Sequence, residues 1–385
     1  MLFRNARLLL PDRIQPKGDL RVRENRIVAV GGSLPPEPGE AVLDLCGKFL
    51  APGFVDLHIH GALRRDTMEA STDAFQVICR FHATGGTTSL ALTTVTAAAP
   101  KITAVLEAVA ALDPNATGGA RILGVHIEGP YFSKEKPGAH PLELIRNPNP
   151  EEYGAWLKYK ERITQMTLAP ELPGALELIE ALERHGIRAS GGHSDAWDED
   201  AAAGFACGMR QVTHTFNCMS GARRRGAFRV AGLLEFAMGE PEILCELIAD
   251  GYHVSPTLMR ALYRAKGVDG IALVTDAGAG AGLAEGESFT LGEIQGVVAG
   301  GVALTADGKA LCSSVSQMNQ LVKTMVEKVD VPLFEAVKMA TLNPARALGL
   351  EDQIGILTEG ALADLVVFEE GLSVAMTFVN GQRVF

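Results

Sequence analysis

Through the middle of the chain, short apolar runs alternate with stretches of helical periodicity. Eight runs read as strands: Phe54–His60, Thr87–Val95, Ile122–Gly129, Met166–Glu171, Ile187–Ser194, Gln211–Phe216, Leu244–Gly251 and Ile271–Ala277. Amphipathic segments such as Ala175–His185 and Thr257–Lys266 lie between them. Strands alternating with helices predict a parallel sheet, and eight repeats predict an α/β fold of the TIM (β/α)8 barrel type. The two ends of the chain have a different pattern. Ala6–Leu10, Asp19–Val22, Arg26–Val30 and Ala41–Leu45 read as short strands, as do Ala363–Phe368 and Met376–Phe385, with a hairpin signal at Asn380-Gly381. They predict a small β-sandwich domain built from residues 1–52 plus 350–385, flanking a barrel domain of residues 53–349.

A polar series is superimposed on the barrel period. Nearly every predicted strand is apolar until its last residues and then carries His, Glu or Asp. His58 and His60 close the first, Glu128 the third, Glu171 the fourth, His193 the fifth, His214 the sixth and Asp276 the eighth. His253 follows the seventh. TIM-barrel active sites lie at this end of the strands, where side chains converge on one mouth.

Taken singly, these residues have ordinary structural readings. Glu128 could be a solvated strand end, and His214 a buried histidine bonded to backbone. Taken together, they form a mixed nitrogen and oxygen donor set suited to Zn2+, Fe2+, Mn2+ or Co2+ with an open position. His58 and His60, two apart on a strand, point to the same face. A divalent ion held there would bring the pKa of a water toward neutrality and polarise a carbonyl oxygen. Asp276 is placed to take the water proton and return it to a leaving amine. The chemistry expected is metal-assisted hydrolysis of an amide or a related bond.

Composition narrows the partners. The 385 residues have ordinary globular proportions, enough for one large barrel and an accessory domain. The net charge is −11 and no long basic run is present, which argues against nucleic acid. The six cysteines are scattered without a C-x-x-C pair, as expected for free thiols in a reducing compartment. The first apolar run is too short for a signal h-region or a membrane span. A cytoplasmic protein without a membrane partner is the expectation.

Several motifs resemble a known family. Pro52-Gly53-Phe54-Val55-Asp56-Leu57-His58-Ile59-His60-Gly61 looks like the opening motif of the amidohydrolase superfamily. His126-Ile127-Glu128-Gly129-Pro130-Tyr131, Gly192-His193-Ser194 and Thr213-His214-Thr215-Phe216-Asn217 resemble N-acetylglucosamine-6-phosphate deacetylases. So do Ala249-Asp250-Gly251-Tyr252-His253, Val274-Thr275-Asp276-Ala277 and Thr341-Leu342-Asn343-Pro344-Ala345-Arg346, in order over essentially the whole chain. The resemblance implies that Glu128, His193 and His214 hold a principal metal. It gives Asp276 the acid/base role. A second ion, bridged by Glu128, would use His58, His60 and Asp276, so that one or two ions bind, zinc or iron foremost and manganese or cobalt as alternatives. It places His253 on the amide carbonyl or the sugar, and His140 with Ala139 on a sugar hydroxyl. Asn217 and Cys218 fall near the phosphate, and Leu311, Cys312 and Ser313 in the acetyl or sugar pocket. It also implies a homodimer.

One segment departs from the family pattern. An Arg-Glu-Pro-Gly stretch, whose arginine binds phosphate across a dimer interface, is replaced by Gly221-Ala222-Arg223-Arg224-Arg225-Gly226-Ala227-Phe228-Arg229. Arg225 is the nearest counterpart, with Arg223, Arg224 and Arg229 as rivals. The cluster suits a phosphate, but also a carboxylate or a solvated loop. The function implied is hydrolysis of the N-acetyl group of an amino-sugar 6-phosphate, most simply N-acetylglucosamine 6-phosphate. The galactosamine epimer, a dipeptidase or a cyclic amidase are alternatives, as is a non-enzymatic scaffold. Cyclic amidases bridge their metals with a carboxylated lysine, where this chain has Glu128.

Overall fold

The computed structural model describes residues Met1–Phe385. All eight predicted barrel strands are present, parallel and in sequential order: Phe54–Ile59, Thr87–Thr93, Arg121–Glu128, Ile163–Leu168, Arg188–Gly191, Gln211–Val212, Leu244–Leu247 and Ile271–Leu273. The barrel closes between the first and the last. Asp276 N–H donates to the His58 carbonyl at 2.9 Å, and His60 N–H to the Ala277 carbonyl at 2.8 Å.

The strands stop short of the ends predicted from their apolar runs, most visibly at Gln211–Val212. The cause is local backbone geometry. His193, His214 and Asp276 have φ of 48°, 33° and 49°, in the left-handed region, so the chain turns out of the sheet just where these side chains must face the mouth.

Packing separates apolar from polar layers. Helices such as Ala175–Arg184 bury Leu178, Ile179 and Leu182 at helical spacing against the outside of the strands, within a core of 59 residues. The barrel interior is hydrogen-bonded instead. Thr213 Oγ1 lies 2.6 Å from both Thr167 Oγ1 and Ser190 Oγ, and His126 Nε2 lies 2.7 Å from Thr167 Oγ1. No helix is long and apolar enough to cross a membrane.

Both termini form the expected small β-sandwich, hydrogen-bonded as a mixed eight-stranded sheet. Its centre is Phe49–Pro52, a strand the sequence pattern did not predict. It pairs parallel with Leu2–Leu10 and antiparallel with Leu365–Phe368, and so joins the two ends of the chain. The Asn380-Gly381 turn is a hairpin with both residues at positive φ, as its type requires. Two further features were unforeseen. A four-stranded antiparallel sheet, Ser288–Leu291, Ile294–Ala299, Val302–Thr305 and Leu311–Ser313, follows the last barrel strand. A short hairpin pairs Arg223–Arg225 with Phe228–Val230.

Arg121 fastens the barrel to the terminal sheet. Its Nη1 and Nη2 donate to Asp364 at 2.7 and 3.1 Å, and Nη2 also donates to Asn380 Oδ1 at 2.6 Å. Asp364 is 2% exposed, so removing its cation strands a buried charge. Arg121→Ala should therefore cost about 3–5 kcal/mol of stability. In chemical denaturation, the Arg121→Ala/Asp364→Ala pair should lose clearly less than the sum of the single variants.

Candidate active site

The strand ends deliver their polar side chains to one point, and Glu128 is its centre. Glu128 closes the third strand, is 2% exposed, and is followed by Gly129 at φ 77°, where a Cβ would lie 2.4 Å from Thr96 Oγ1. Its Oε1 lies 3.4 Å from His58 Nε2, 3.5 Å from His193 Nε2 and 3.2 Å from His214 Nε2. Oε2 lies 3.3 Å from His60 Nε2 and 3.6 Å from His140 Nε2. Asp276 Oδ1 faces the other side of the pair from the first strand, 3.4 Å from His58 Nε2 and 3.2 Å from His60 Nε2. His193 reaches the mouth because Gly192 lets the strands close up, a Cβ there falling 2.8 Å from Thr167.

These spacings match a cation's coordination shell. Nitrogen donors about 2.0–2.1 Å from one tetrahedral ion stand about 3.3 Å apart. The His58 and His60 Nε2 atoms are 3.1 Å apart, as are those of His193 and His214. The hydrogen-bond partners assign the tautomers. His60 Nδ1–H donates to the Thr93 carbonyl at 3.2 Å, and His193 Nδ1–H to the Lys136 carbonyl at 3.0 Å. His58 Nδ1 faces Glu246 Oε2 at 3.5 Å. Each of these rings, once neutral, would therefore turn an unprotonated Nε2 inward. His140 is the opposite case. Thr96 N–H donates to its Nδ1 at 3.2 Å, so its Nε2 carries the proton. Burial, then the neighbouring His193, pushes His140 down to about 3, which keeps it neutral.

The residues fit a divalent cation, which would take the place of the positive charge that the carboxylates draw onto the imidazoles. Burial opposes charge on the imidazoles, but Asp276 and Glu128 outweigh it, raising His58 well above the usual range and His60 to about 9. His193 is likewise raised, to about 10, by Cys218 and Glu128 against burial. Burial also opposes ionisation of the carboxylates, yet the imidazoles hold Glu128 and Asp276 below their ordinary values.

A cavity of about 220 Å³ opens beside this cluster. His60, Glu128, His193, His214 and Asp276 line it, and so do Ala139, His140, Asn217, Cys218, His253, Leu311, Cys312 and Ser313. His58 lies behind His60 at 0% exposure. No lysine lines the cavity, so a carboxylated-lysine bridge has no counterpart, and neither does an arginine line it.

A model of the amidohydrolase family matches residues 49–384. The chain is 36% identical to the N-acetylglucosamine-6-phosphate deacetylase of Vibrio furnissii, covering 100% of this chain and 94% of that protein. It is 33% identical to the N-acetylgalactosamine-6-phosphate deacetylase of Escherichia coli O157:H7, over 99% and 98% of the two chains. A solved structure of N-acetyl-D-glucosamine-6-phosphate deacetylase from Mycobacterium smegmatis, an aspartate-to-alanine mutant in complex with N-acetyl-D-glucosamine-6-phosphate, superposes with a TM-score of 0.91. It is 32% identical, with 100% of this chain and 99% of that chain covered. The chain belongs to the N-acetylglucosamine-6-phosphate deacetylase family of amidohydrolases.

Two residues that the sequence drew attention to lie outside the lining of this chain's cavity. Arg225, expected on the substrate, sits on the exposed hairpin outside the cavity. It pairs with Glu199 at 2.5 Å and stacks its guanidinium 4.1 Å from the Trp197 ring centre. Arg223 is held in the same way, by Asp195 and Trp197. Glu171 turns from the mouth to accept from Ser194 Oγ and Asp195 N–H, each at 2.7 Å. Asp250 received no role from the sequence, yet its Oδ2 accepts from His253 Nδ1 at 2.6 Å. Burial lowers His253, but this bond more than offsets it and leaves the ring raised. The i, i+3 spacing of Asp250 and His253 was the available signal.

The carboxylates beside them, with Cys218 at His193, favour the protonated form of His60 and His193 in the metal-free chain, and a bound ion displaces those protons. Adding Co2+ or Zn2+ at pH 7 should release more than one proton, read by titration calorimetry in buffers of different ionisation enthalpy. Affinity should fall steadily as pH is lowered. Loading without proton release contradicts this account.

Proposed function

We propose that the chain hydrolyses the N-acetyl group of an amino-sugar 6-phosphate, converting N-acetylglucosamine 6-phosphate to glucosamine 6-phosphate and acetate. The observation that carries this reading is the Glu128-centred cluster of histidines and Asp276 at the cavity wall, in a chain of this family. Glu128, His193 and His214 would hold one divalent ion. His58 and His60, with Asp276 and a shared Glu128, would hold a second. Bound ions, zinc or iron foremost, would supply Lewis acidity toward the amide carbonyl and lower the pKa of water toward neutrality.

This chain's own residues do the rest. Asp276, kept ionised by its imidazole neighbours, takes a proton from water as its oxygen bonds to the carbonyl carbon. It returns that proton to the sugar nitrogen as the carbon–nitrogen bond breaks. His253, held by Asp250, donates a hydrogen bond to the oxygen that gains charge. The Nε2–H of His140 donates to a sugar hydroxyl. Ser313, whose hydroxyl is buried without a protein partner, offers a further donor to the bound sugar.

The phosphate needs a cation that the cavity lining lacks. On the hairpin, Arg224 and Arg229 stand directly opposite each other, an arrangement that like charges disfavour without a counter-ion. In a homodimer, these two would reach the partner's cavity and contact the phosphate, while Arg223 and Arg225 brace the hairpin. The relative that acts on the galactosamine epimer supports a second reading in which N-acetylgalactosamine 6-phosphate is the substrate. The cytoplasm, where sugar phosphates are made, is the fitting compartment.

Turnover of N-acetylglucosamine, N-acetylgalactosamine and N-acetylmannosamine, each with and without the 6-phosphate, tests the reading. One 6-phosphate should be preferred. Replacing Arg224 and Arg229 with alanine should raise KM for it on the order of ten- to a hundredfold, since a charged hydrogen bond contributes about 1.5–3 kcal/mol. Equal rates on the unphosphorylated sugars sink the phosphate assignment and leave the deacetylase. Asp276→Asn should lose roughly a hundredfold or more in kcat while retaining an ion at Glu128, His193 and His214 by elemental analysis. Near wild-type turnover removes Asp276 from the proton path.

A further inference from the structure

Glu246 is a carboxylate inside the barrel floor that the proposed reaction leaves without a role and that, unlike Asp56 beneath Thr275, faces a histidine of the site. It lies in the seventh strand at 0% exposure, pointing into the interior. Its Oε1 accepts from Gln165 Nε2 at 2.8 Å and from Gln211 Nε2 at 2.6 Å. Gln211 Nε2 also donates to Gln165 Oε1 at 2.9 Å, so the two amides form a bracket that fixes the carboxylate. Neither amide carries charge. The only side chain in its ion pairs able to carry a positive charge is His58, whose Nδ1 faces Oε2 at 3.5 Å.

The contrast with the other rings is informative. Nδ1 of His60 and of His193 is satisfied by a backbone carbonyl, and Nδ1 of His214 has no partner. Of the four rings that would hold ions, only His58 is backed by a carboxylate. An imidazole between a carboxylate and a cation is a stronger ligand, locked in the required tautomer and orientation. A carboxylate buried among neutral groups is in turn compensated by the cation beyond the ring.

We infer that Glu246 is a positioning residue for the His58/His60 ion site: through His58 Nδ1 it turns Nε2 to the mouth and strengthens that ion selectively. This rests on the reading that His58, His60 and Glu128 hold a divalent ion. The Gln165–Gln211 bracket belongs to the same device, because it presents Oε2 rather than Oε1 to the ring.

The test is a Co2+ titration of the metal-free protein, followed by visible absorption and equilibrium dialysis, with unfolding temperatures before and after loading. His60→Ala identifies which of the two binding steps belongs to the His58/His60 side. In Glu246→Gln that same step should weaken by about ten- to a hundredfold, while the other step is unchanged. The unfolding temperature of metal-free Glu246→Gln sets the baseline, since the substitution also removes a buried partner of His58. Saturating Co2+ should raise its unfolding temperature less than it raises that of the wild type. Glu246→Asp keeps the charge but draws it back from His58, and should weaken the same step to a smaller degree, which serves should Glu246→Gln not fold. A metal-free protein destabilised by Glu246→Gln, with both Co2+ steps at wild-type affinity, makes Glu246 a packing residue and overturns the inference. A wild type that takes up one ion, unaffected by His60→Ala, overturns the two-ion reading beneath it, and is recognised before any Glu246 variant is made.

Discussion

An ionised carboxylate shut away from water is tolerable only if positive charge or several donors lie within reach. Glu128 meets that condition in an unusual way, with no lysine or arginine beside it and five imidazole nitrogens at 3.2–3.6 Å. Leaving such a charge uncompensated costs several kcal/mol even after relaxation. In the metal-free chain, protons on the histidines provide the compensation, and a cation provides it with shorter and more directional contacts. The barrel therefore folds around a site whose electrostatics favour a divalent ion before any substrate arrives. The elements that reach Glu128 are tied to one another through this one group.

Bringing so many side chains to a point requires backbone that ordinary strands do not supply. His193, His214 and Asp276 all have left-handed φ, each at a cost of about 1–2 kcal/mol for a residue with a Cβ. Such conformations persist only where their surroundings over-determine them. At Asp276 the restraints are visible. Its N–H is held by the His58 carbonyl and its own carbonyl by Ser314 N–H. Thr275 beside it donates Oγ1 to Asp56 Oδ2 at 2.6 Å and N–H to Asp56 Oδ1 at 3.2 Å. Burial pushes Asp56 up to about 7, with the Thr275 bonds opposing the rise. The polar floor is thus the frame that keeps the mouth in a strained geometry, which aliphatic layers could not do.

Much of this was legible in the sequence because the barrel's period and its polar strand ends coincide. A His, Glu or Asp that recurs at the close of apolar runs says where the runs converge, whatever the exact strand bounds. Features that were not legible depend on three-dimensional neighbours. Phe49–Pro52 is too short to announce itself, and it becomes a strand only because both chain ends pair with it. The sheet from Ser288 to Ser313 was hidden in a Gly-rich stretch without strong alternation. Glu246 lies between Cys245 and Leu247 on a strand, where a lone carboxylate resembles a surface position until the barrel closes over it. The place of Arg225 was likewise not legible: Trp197 and Glu199 hold its guanidinium on the outer face of the hairpin.

Distance alone does not separate ligands from donors within a cluster of histidines. His140, Glu128 and His193 offer atoms close enough together to hold an ion, as do His58, His60 and Glu128. The distinction comes from the far side of each ring. Where a carbonyl or carboxylate accepts from Nδ1, the inner nitrogen has a lone pair to give; where a backbone N–H donates to Nδ1, the inner nitrogen has a proton to give. Thr96 N–H makes His140 a donor, and the Thr93 and Lys136 carbonyls make His60 and His193 acceptors. Backbone groups two or more residues removed from the chemistry thus divide one cluster of rings into those that would bind a cation and one that would bind an oxygen. A mutation that shifted the Thr93–Thr96 segment would blur that division without touching a single site residue, because both kinds of ring take their protonation from it.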